Sequence, residues 1–273
     1  MPNMKCVLRL ACVLAAVALV RYDAVAGEAV RIGGTGSINE MVKRLAPLLL
    51  AETGMAVELI PSLGSSGGIA AAADGVLDLS ISGRPLKPAE TALGLKSAGE
   101  LRTPFAIVTS HPNPNGLKSA DIARLYQSDK PIWADGKPIR IILRPTNESD
   151  TWLLGASFPG MAAAIKNVRT RADISIAATD QDNTKMAEET AGSLVAATYT
   201  QVKLEQRKLR FVAIDGVEPS VENFESGKYL YSKILYLVVA AKASPAGAKF
   251  IAFLRSPKGA AALHETGVLV GAE

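Results

Sequence analysis

Arg144-Pro145-Thr146-Asn147-Glu148-Ser149-Asp150-Thr151 follows a strand-like apolar run, Ile139 to Leu143, and precedes Trp152, Leu153 and Leu154, an apolar segment compatible with a helix. The stretch sets a guanidinium, the hydroxyls of Ser149 and Thr151 and a series of backbone N–H groups at a strand-to-helix junction. Ser149 to Thr151 would open the helix, where unpaired N–H groups and the positive end of the dipole favour an anion. Taken alone, the same residues also describe an ordinary helix cap beside a surface arginine.

Two upstream segments repeat the pattern. Gly33-Gly34-Thr35-Gly36-Ser37 follows Ala29 to Ile32 and opens a segment with Ile38, Met41, Val42, Leu45, Leu48 and Leu49 at helical spacing. Its glycines, Gly36 among them, let the backbone approach a ligand closely, and Thr35 and Ser37 add hydroxyl donors. Pro61-Ser62-Leu63-Gly64-Ser65-Ser66-Gly67-Gly68 lies between the strand-like Val57 to Ile60 and the alanine-rich Ile69 to Ala73. Each is weak by itself, because Gly/Ser turns before helices are frequent. Three junctions of one chemistry carry more weight, since in an open α/β sheet such junctions share the carboxyl ends of the strands, where ligands bind.

Strand-like runs at 57–60, 77–82, 105–109, 139–143, 194–198, 211–214 and 235–240 alternate with helical stretches at 37–52, 119–127 and 246–254. This order predicts an α/β fold with mostly parallel sheets. Pro47 removes a backbone donor inside the first helix and is expected to weaken its continuity.

The amino terminus sets the compartment. Lys5 and Arg9 precede an apolar run from Leu10 to Val20, and Ala24-Val25-Ala26 is an A-x-A cleavage site, so residues 1–26 read as a secretory signal peptide. The run is too short for a stable bilayer span and no other segment is long enough, so an exported chain without a transmembrane segment is expected. Both cysteines, Cys6 and Cys12, fall inside this segment, which leaves no thiol for a disulfide or a metal. The two histidines, His111 and His264, are expected to be solvated, so neither a histidine metal site nor a Ser/His/Asp triad is supported.

Loss of the signal would take the formal charge from +4 to +2. Basic residues are scattered and aromatics few, which argues against a nucleic-acid groove, and there is no basic amphipathic helix for a membrane surface. The remaining aliphatic-rich length suits two lobes better than one.

In the order of these motifs the chain resembles the periplasmic phosphate-binding proteins of ABC transporters, which have the two-lobed type II solute-binding fold. Gly33–Ser37 is similar to that family's first phosphate loop and Gly64–Gly68 to its second. Phe105 to Asn115 is similar to its crossover strand, and Leu117 to Tyr126, Trp133-Ala134-Asp135-Gly136 and Arg144 to Thr151 follow the family's order of helix, turn and clamp. Pro245 to Gly259 resembles its closing helices.

The resemblance implies a periplasmic, monomeric capture protein for an ABC permease, with no catalytic residue, metal or cofactor. Phosphate would be held in a cleft between lobe one (27–106 and 236–273) and lobe two (107–235). Thr35, Gly36, Ser37, Ser65 or Ser66, and Ser82 would bind from lobe one, and Arg144, Ser149 and Thr151 from lobe two. Two departures stand out. Where phosphate binders have Gly-Ala-Ser-Asp, this chain has Ser80-Ile81-Ser82-Gly83 followed by Arg84, so the carboxylate that takes the proton of hydrogen phosphate is missing there. The clamp has one extra residue and carries Asp150 where the family has glycine. Arg84 is either a further anion ligand or a surface arginine at the Pro85 turn; Asp150 is either a proton acceptor or a solvated helix cap. Alternatives to phosphate capture are another oxyanion (sulfate, molybdate or tungstate), a secreted phosphoesterase using Ser37 or Ser66, or a sensor.

Overall fold

The computed structural model describes residues 28–240 and 244–271. The signal-peptide reading and both cysteines lie outside the described residues. The chain runs β1 (Ala29–Gly34), a 3-10 turn (Gly36–Ile38), α1 (Asn39–Thr53), β2 (Ala56–Ile60), α2 (Gly64–Ala73), β3 (Leu79–Ser82), α3 (Pro88–Ala92) and β4 (Lys96–Thr109). It continues through α4 (Ser119–Gln127), β5 (Arg140–Leu143), α5 (Ser149–Ser157), α6 (Met161–Val168), β6 (Ser175–Ile176), α7 (Asp180–Glu189), β7 (Ser193–Thr198) and α8 (Tyr199–Leu204). The last elements are β8 (Arg210–Phe211), α9 (Val221–Glu225), β9 (Ser232–Val239), α10 (Pro245–Arg255), α11 (Pro257–Glu265) and β10 (Leu269–Val270).

Strands lie in the order β2-β1-β3-β9-β4-β7-β5-β6. The βαβ units on either side are parallel: β1 pairs with β2 and β3, and β5 with β6 and β7. The antiparallel pairings all involve β4 or β9, the two long strands in the middle. Helices between parallel strands are required by geometry, since a parallel neighbour cannot be reached by a tight turn.

Two main apolar cores flank these central strands. The first gathers Val30 and Ile32 of β1, the stripe Met41, Val42, Leu45 and Leu49 of α1, and Phe250 and Leu254 of α10. The second gathers Tyr126, Ile141, Leu143, Met161, Ile165 and Leu194. β4 belongs to both: Leu101 packs in the first core, and Phe105 and Ile107 in the second. β9 runs antiparallel beside it, with Lys233 opposite Thr103 and Ser232 opposite Pro104, so the chain crosses between the cores at these positions.

Some boundaries differ from the expected ones. The first α-helix starts at Asn39, two residues later than expected, because a 3-10 turn takes Gly36–Ile38, and Pro47 sits inside the continuous helix. β4 begins at Lys96, nine residues before the apolar run that signals it; none of its first five residues, Lys96 to Glu100, is buried. The strand expected over 211–214 is only Arg210–Phe211. His111 is buried, not solvated: its Nε2 lies 3.1 Å from Asp135 and its ring stacks on Trp133. His264 is half exposed beside Glu225.

Candidate functional site

β1 ends in Gly33-Gly34, and Gly34 has φ +133°, with an added Cβ only 2.0 Å from the Ile81 carbonyl of β3. No other residue can make that approach without moving the strand. Thr35, Gly36 and Ser37 follow, buried at the carboxyl end of β1, and the Thr35 N–H donates to the Ile81 carbonyl of β3 at 2.9 Å. Across from them, Arg144 follows β5 and Ser149-Asp150 open α5, all buried. Lys233 joins them from the crossing strand β9 and is completely buried. Asp180, the first residue of α7, closes the group from the second half.

The contacts form one network. Lys233 Nζ lies 2.5 Å from Asp150 Oδ1 and donates to the hydroxyls of Thr35 and Ser37, each at 3.2 Å. Asp180 Oδ2 accepts from the Ser37 N–H at 2.9 Å and the Thr35 hydroxyl at 3.2 Å, while its Oδ1 accepts from Arg144 Nε at 3.2 Å. Arg144 Nη1 donates to the Ala177 carbonyl at 2.6 Å, and Nη2 lies 3.3 Å from Glu148. Ser65 Oγ accepts the Gly83 N–H at 2.9 Å and sits 3.5 Å from Ser149 Oγ, which is itself 3.5 Å from Asp150 Oδ1.

Two buried cations thus face three carboxylates, and their environments push the acids apart. Burial raises the Asp150 carboxyl above its ordinary value, an effect that Lys233 opposes and the nearby Asp180 charge reinforces. Burial acts on Asp180 in the same direction, yet the charges of Lys233 and Arg144 and the bonds from Thr35 and Ser37 outweigh it, and its carboxyl lies below the ordinary value. Glu148 is raised, chiefly by burial.

Thr35, Gly36, Ser37, Ser65, Arg144, Ser149 and Asp150 therefore come together. The others are engaged elsewhere. Ser82 Oγ accepts from the Arg84 N–H and donates to the Arg84 carbonyl. Arg84 forks onto Glu90 at 2.7 and 2.9 Å and holds the exposed Ser66, which closes the turn before α3. Thr151 turns its hydroxyl back to the carbonyls of Arg144 and Pro145. Asp150 is not a solvated cap; only 4% of it is exposed. At Gly83, an added Cβ would meet Lys233 Cε and Ser149 Oγ at 2.7 Å each. The room that a carboxylate side chain would need there is taken by the lysine and by Ser149.

Lys233 and Asp180 were not anticipated from the sequence. A lysine inside Ser232-Lys233-Ile234-Leu235-Tyr236-Leu237-Val238-Val239, at the same alternation as the buried Leu235 and Leu237, is the signal for the first. Asp180 has a weaker one, because Thr179-Asp180-Gln181-Asp182 makes a regular capping box around Thr179 and Asp182. Among the described residues, no group of three or more His, Cys, Asp or Glu is arranged to hold a metal, and no helix is long and apolar enough to cross a membrane.

The family described as the PBP superfamily domain matches residues 22–258. No curated protein matches by sequence. Among solved structures, the chain is similar to a candidate phosphate ABC transporter substrate-binding protein with bound phosphate from Clostridium perfringens, at 21% identity and a TM-score of 0.72, over 90% of this chain and 100% of that one. It is also similar to an ABC-type phosphate transport receptor from Vibrio cholerae (17% identity, TM-score 0.62, 89% and 100% covered). A third similar structure is the CcmR regulatory domain from Synechocystis PCC6803 in complex with 2-PG (14% identity, TM-score 0.54, 83% and 95% covered). At these identities the likeness establishes the fold.

Proposed function

The chain belongs to the PBP superfamily, and on that premise we propose that it is an exported solute-binding protein that captures a tetrahedral oxyanion, phosphate first among them, for an ABC importer. One observation carries the reading: donors from both sides of one cleft, the Thr35 hydroxyl, the Ser37 N–H and Arg144 Nε, converge on the two oxygens of a buried carboxylate. Such a set accepts a negatively charged, multiply accepting oxygen group and little else. The phosphate proteins of the same fold from Clostridium perfringens and Vibrio cholerae support phosphate as the first ligand to try.

Lobe one takes residues 27–106 and 236–273, and lobe two takes 107–235; the two cores support a division within the crossing strands, which change core between Leu101 and Phe105 in β4 and between Tyr231 and Leu235 at the start of β9. Ligand that touches both lobes favours the closed form, and the closed form is what a permease would recognise. Asp150 is the proton acceptor in place of the carboxylate missing at Gly83. It is buried beside Ser149 and Lys233, and its raised carboxyl holds a proton more readily than an ordinary aspartate.

The test is thermal shift and calorimetry on purified protein freed of carried-over ligand by unfolding and refolding. Phosphate or arsenate should raise the melting temperature, by mass action on the folded state, more than sulfate, molybdate or tungstate. No shift with any of the five ends the oxyanion reading. Loss of phosphate uptake in a deletion strain, restored by the gene, separates import from a sensing role.

A further inference from the structure

We propose that Asp180 determines the specificity of the cleft: its carboxylate is a tethered competitor that holds the oxyanion position and admits only ligands able to displace it. The inference rests on the reading of the cleft as an oxyanion site. The Ser37 N–H has one hydrogen to give, and it goes to Asp180 Oδ2 at 2.9 Å; the same oxygen takes the Thr35 hydroxyl, and Oδ1 takes Arg144 Nε. These are the inward-facing donors of the first loop and the arginine of the clamp. A free oxyanion and Asp180 therefore compete for the same hydrogens, and binding is an exchange.

The surroundings are fitted to the carboxylate. Gly36 passes so close that an added Cβ would stand 3.0 Å from Asp180 Oδ2 and 2.7 Å from Gln181 Oε1. Gln181 Nε2 donates to the Gly36 carbonyl at 2.9 Å, so two successive residues at the start of α7 dock on the loop. A pocket of about 70 Å³, bounded by Gly36, Gly64, Arg144, Glu148 and Gln181, opens directly beside Asp180 and gives the displaced side chain a place to turn.

Competition of this kind sorts ligands by charge and by number of acceptors. A tethered group acts at an effective concentration in roughly the millimolar range or above, without the entropy that a free ligand loses on association. A monocarboxylate offers the same two oxygens and the same single charge as Asp180, so it gains nothing by entering. A tetrahedral dianion brings more oxygens and a second charge, and reaches Lys233 and the hydroxyls of Ser65 and Ser149 in the same step.

The experiment compares wild type, Asp180→Asn and Asp180→Ala, refolded free of ligand, by calorimetric titration with inorganic phosphate and with acetate. Asparagine is isosteric and keeps a carbonyl acceptor, so it covers the outcome in which alanine does not fold. Both variants should bind phosphate about tenfold more tightly or better, since the competitor's charge is gone, and Asp180→Ala should take up acetate while wild type gives no heat with it. Wild type that binds phosphate alongside variants that bind it equally or more weakly overturns the proposal and leaves the oxyanion reading standing. If neither phosphate nor any of the other four oxyanions binds to any of the three proteins, that reading falls and this proposal with it.

Discussion

Arg144 is the residue whose chemistry is most exposed to test. Its three guanidinium nitrogens each face one partner, Asp180, the Ala177 carbonyl and Glu148, which fixes the plane of the group and leaves further N–H donors for a ligand. Removing one partner of a buried, hydrogen-bonded charge pair costs on the order of 2–5 kcal/mol. Arg144→Ala should therefore abolish phosphate binding in calorimetry; near-wild-type affinity would show that the anion lies elsewhere. Asp150 addresses which anion. Phosphate near neutral pH carries a proton and sulfate does not, so discrimination needs a buried acceptor that welcomes the proton and repels the bare dianion. Asp150→Asn offers an amide in its place and should let sulfate compete with phosphate. If wild type already takes sulfate as readily, Asp150 is only the partner of Lys233.

At the level of elements, the turn between β3 and α3 is held by Arg84 and Glu90, and it has its own signature in pH. The hydrogen bonds from Arg84 pull the Glu90 carboxyl down from 4.5 to about 2, with the Lys87 N–H contributing. A depressed folded value means stability that is present above the ordinary glutamate range and is lost as pH falls from there through about 2. Glu90→Gln should cost on the order of 1 kcal/mol at neutral pH, with the difference from wild type vanishing in acid melts near the bottom of that window. A constant difference across pH would assign the loss to packing. The same elements show what sequence could reveal. Alternation of β and α, the three strand-to-helix junctions and the α4 limits were legible because each is local: apolar period, turn residue, cap. The beginning of β4 was not, because Lys96 to Glu100 pairs with β9 across the chain and alternates too weakly to stand out. Arg84 and Ser66 looked like ligands by position, and only the fold brings Glu90 up to claim the guanidinium. Lys233 was lost because the apolar reading of β9 began at Leu235, two residues beyond it.

Lys233 is where the two halves meet. It sits on β9 at the crossing, touches Thr35 and Ser37 of one half, and lies 2.5 Å from Asp150 of the other. An ammonium with no exposure is costly to bury, and the cost is offset only while its carboxylate and hydroxyl partners are in place. Lys233→Met keeps the length of the side chain, removes the charge and leaves Asp150 buried without its cation, at a cost of about 3–5 kcal/mol. The double variant Lys233→Met with Asp150→Asn no longer buries an unpaired charge at that position. It should melt well above the single lysine variant and recover much of the loss, which is the coupling expected of residues in one network. Denaturant melts of the four proteins measure that coupling. Additive losses would mean that Lys233 and Asp150 act independently, and the two halves would then be joined at the crossing by β4 and β9 alone.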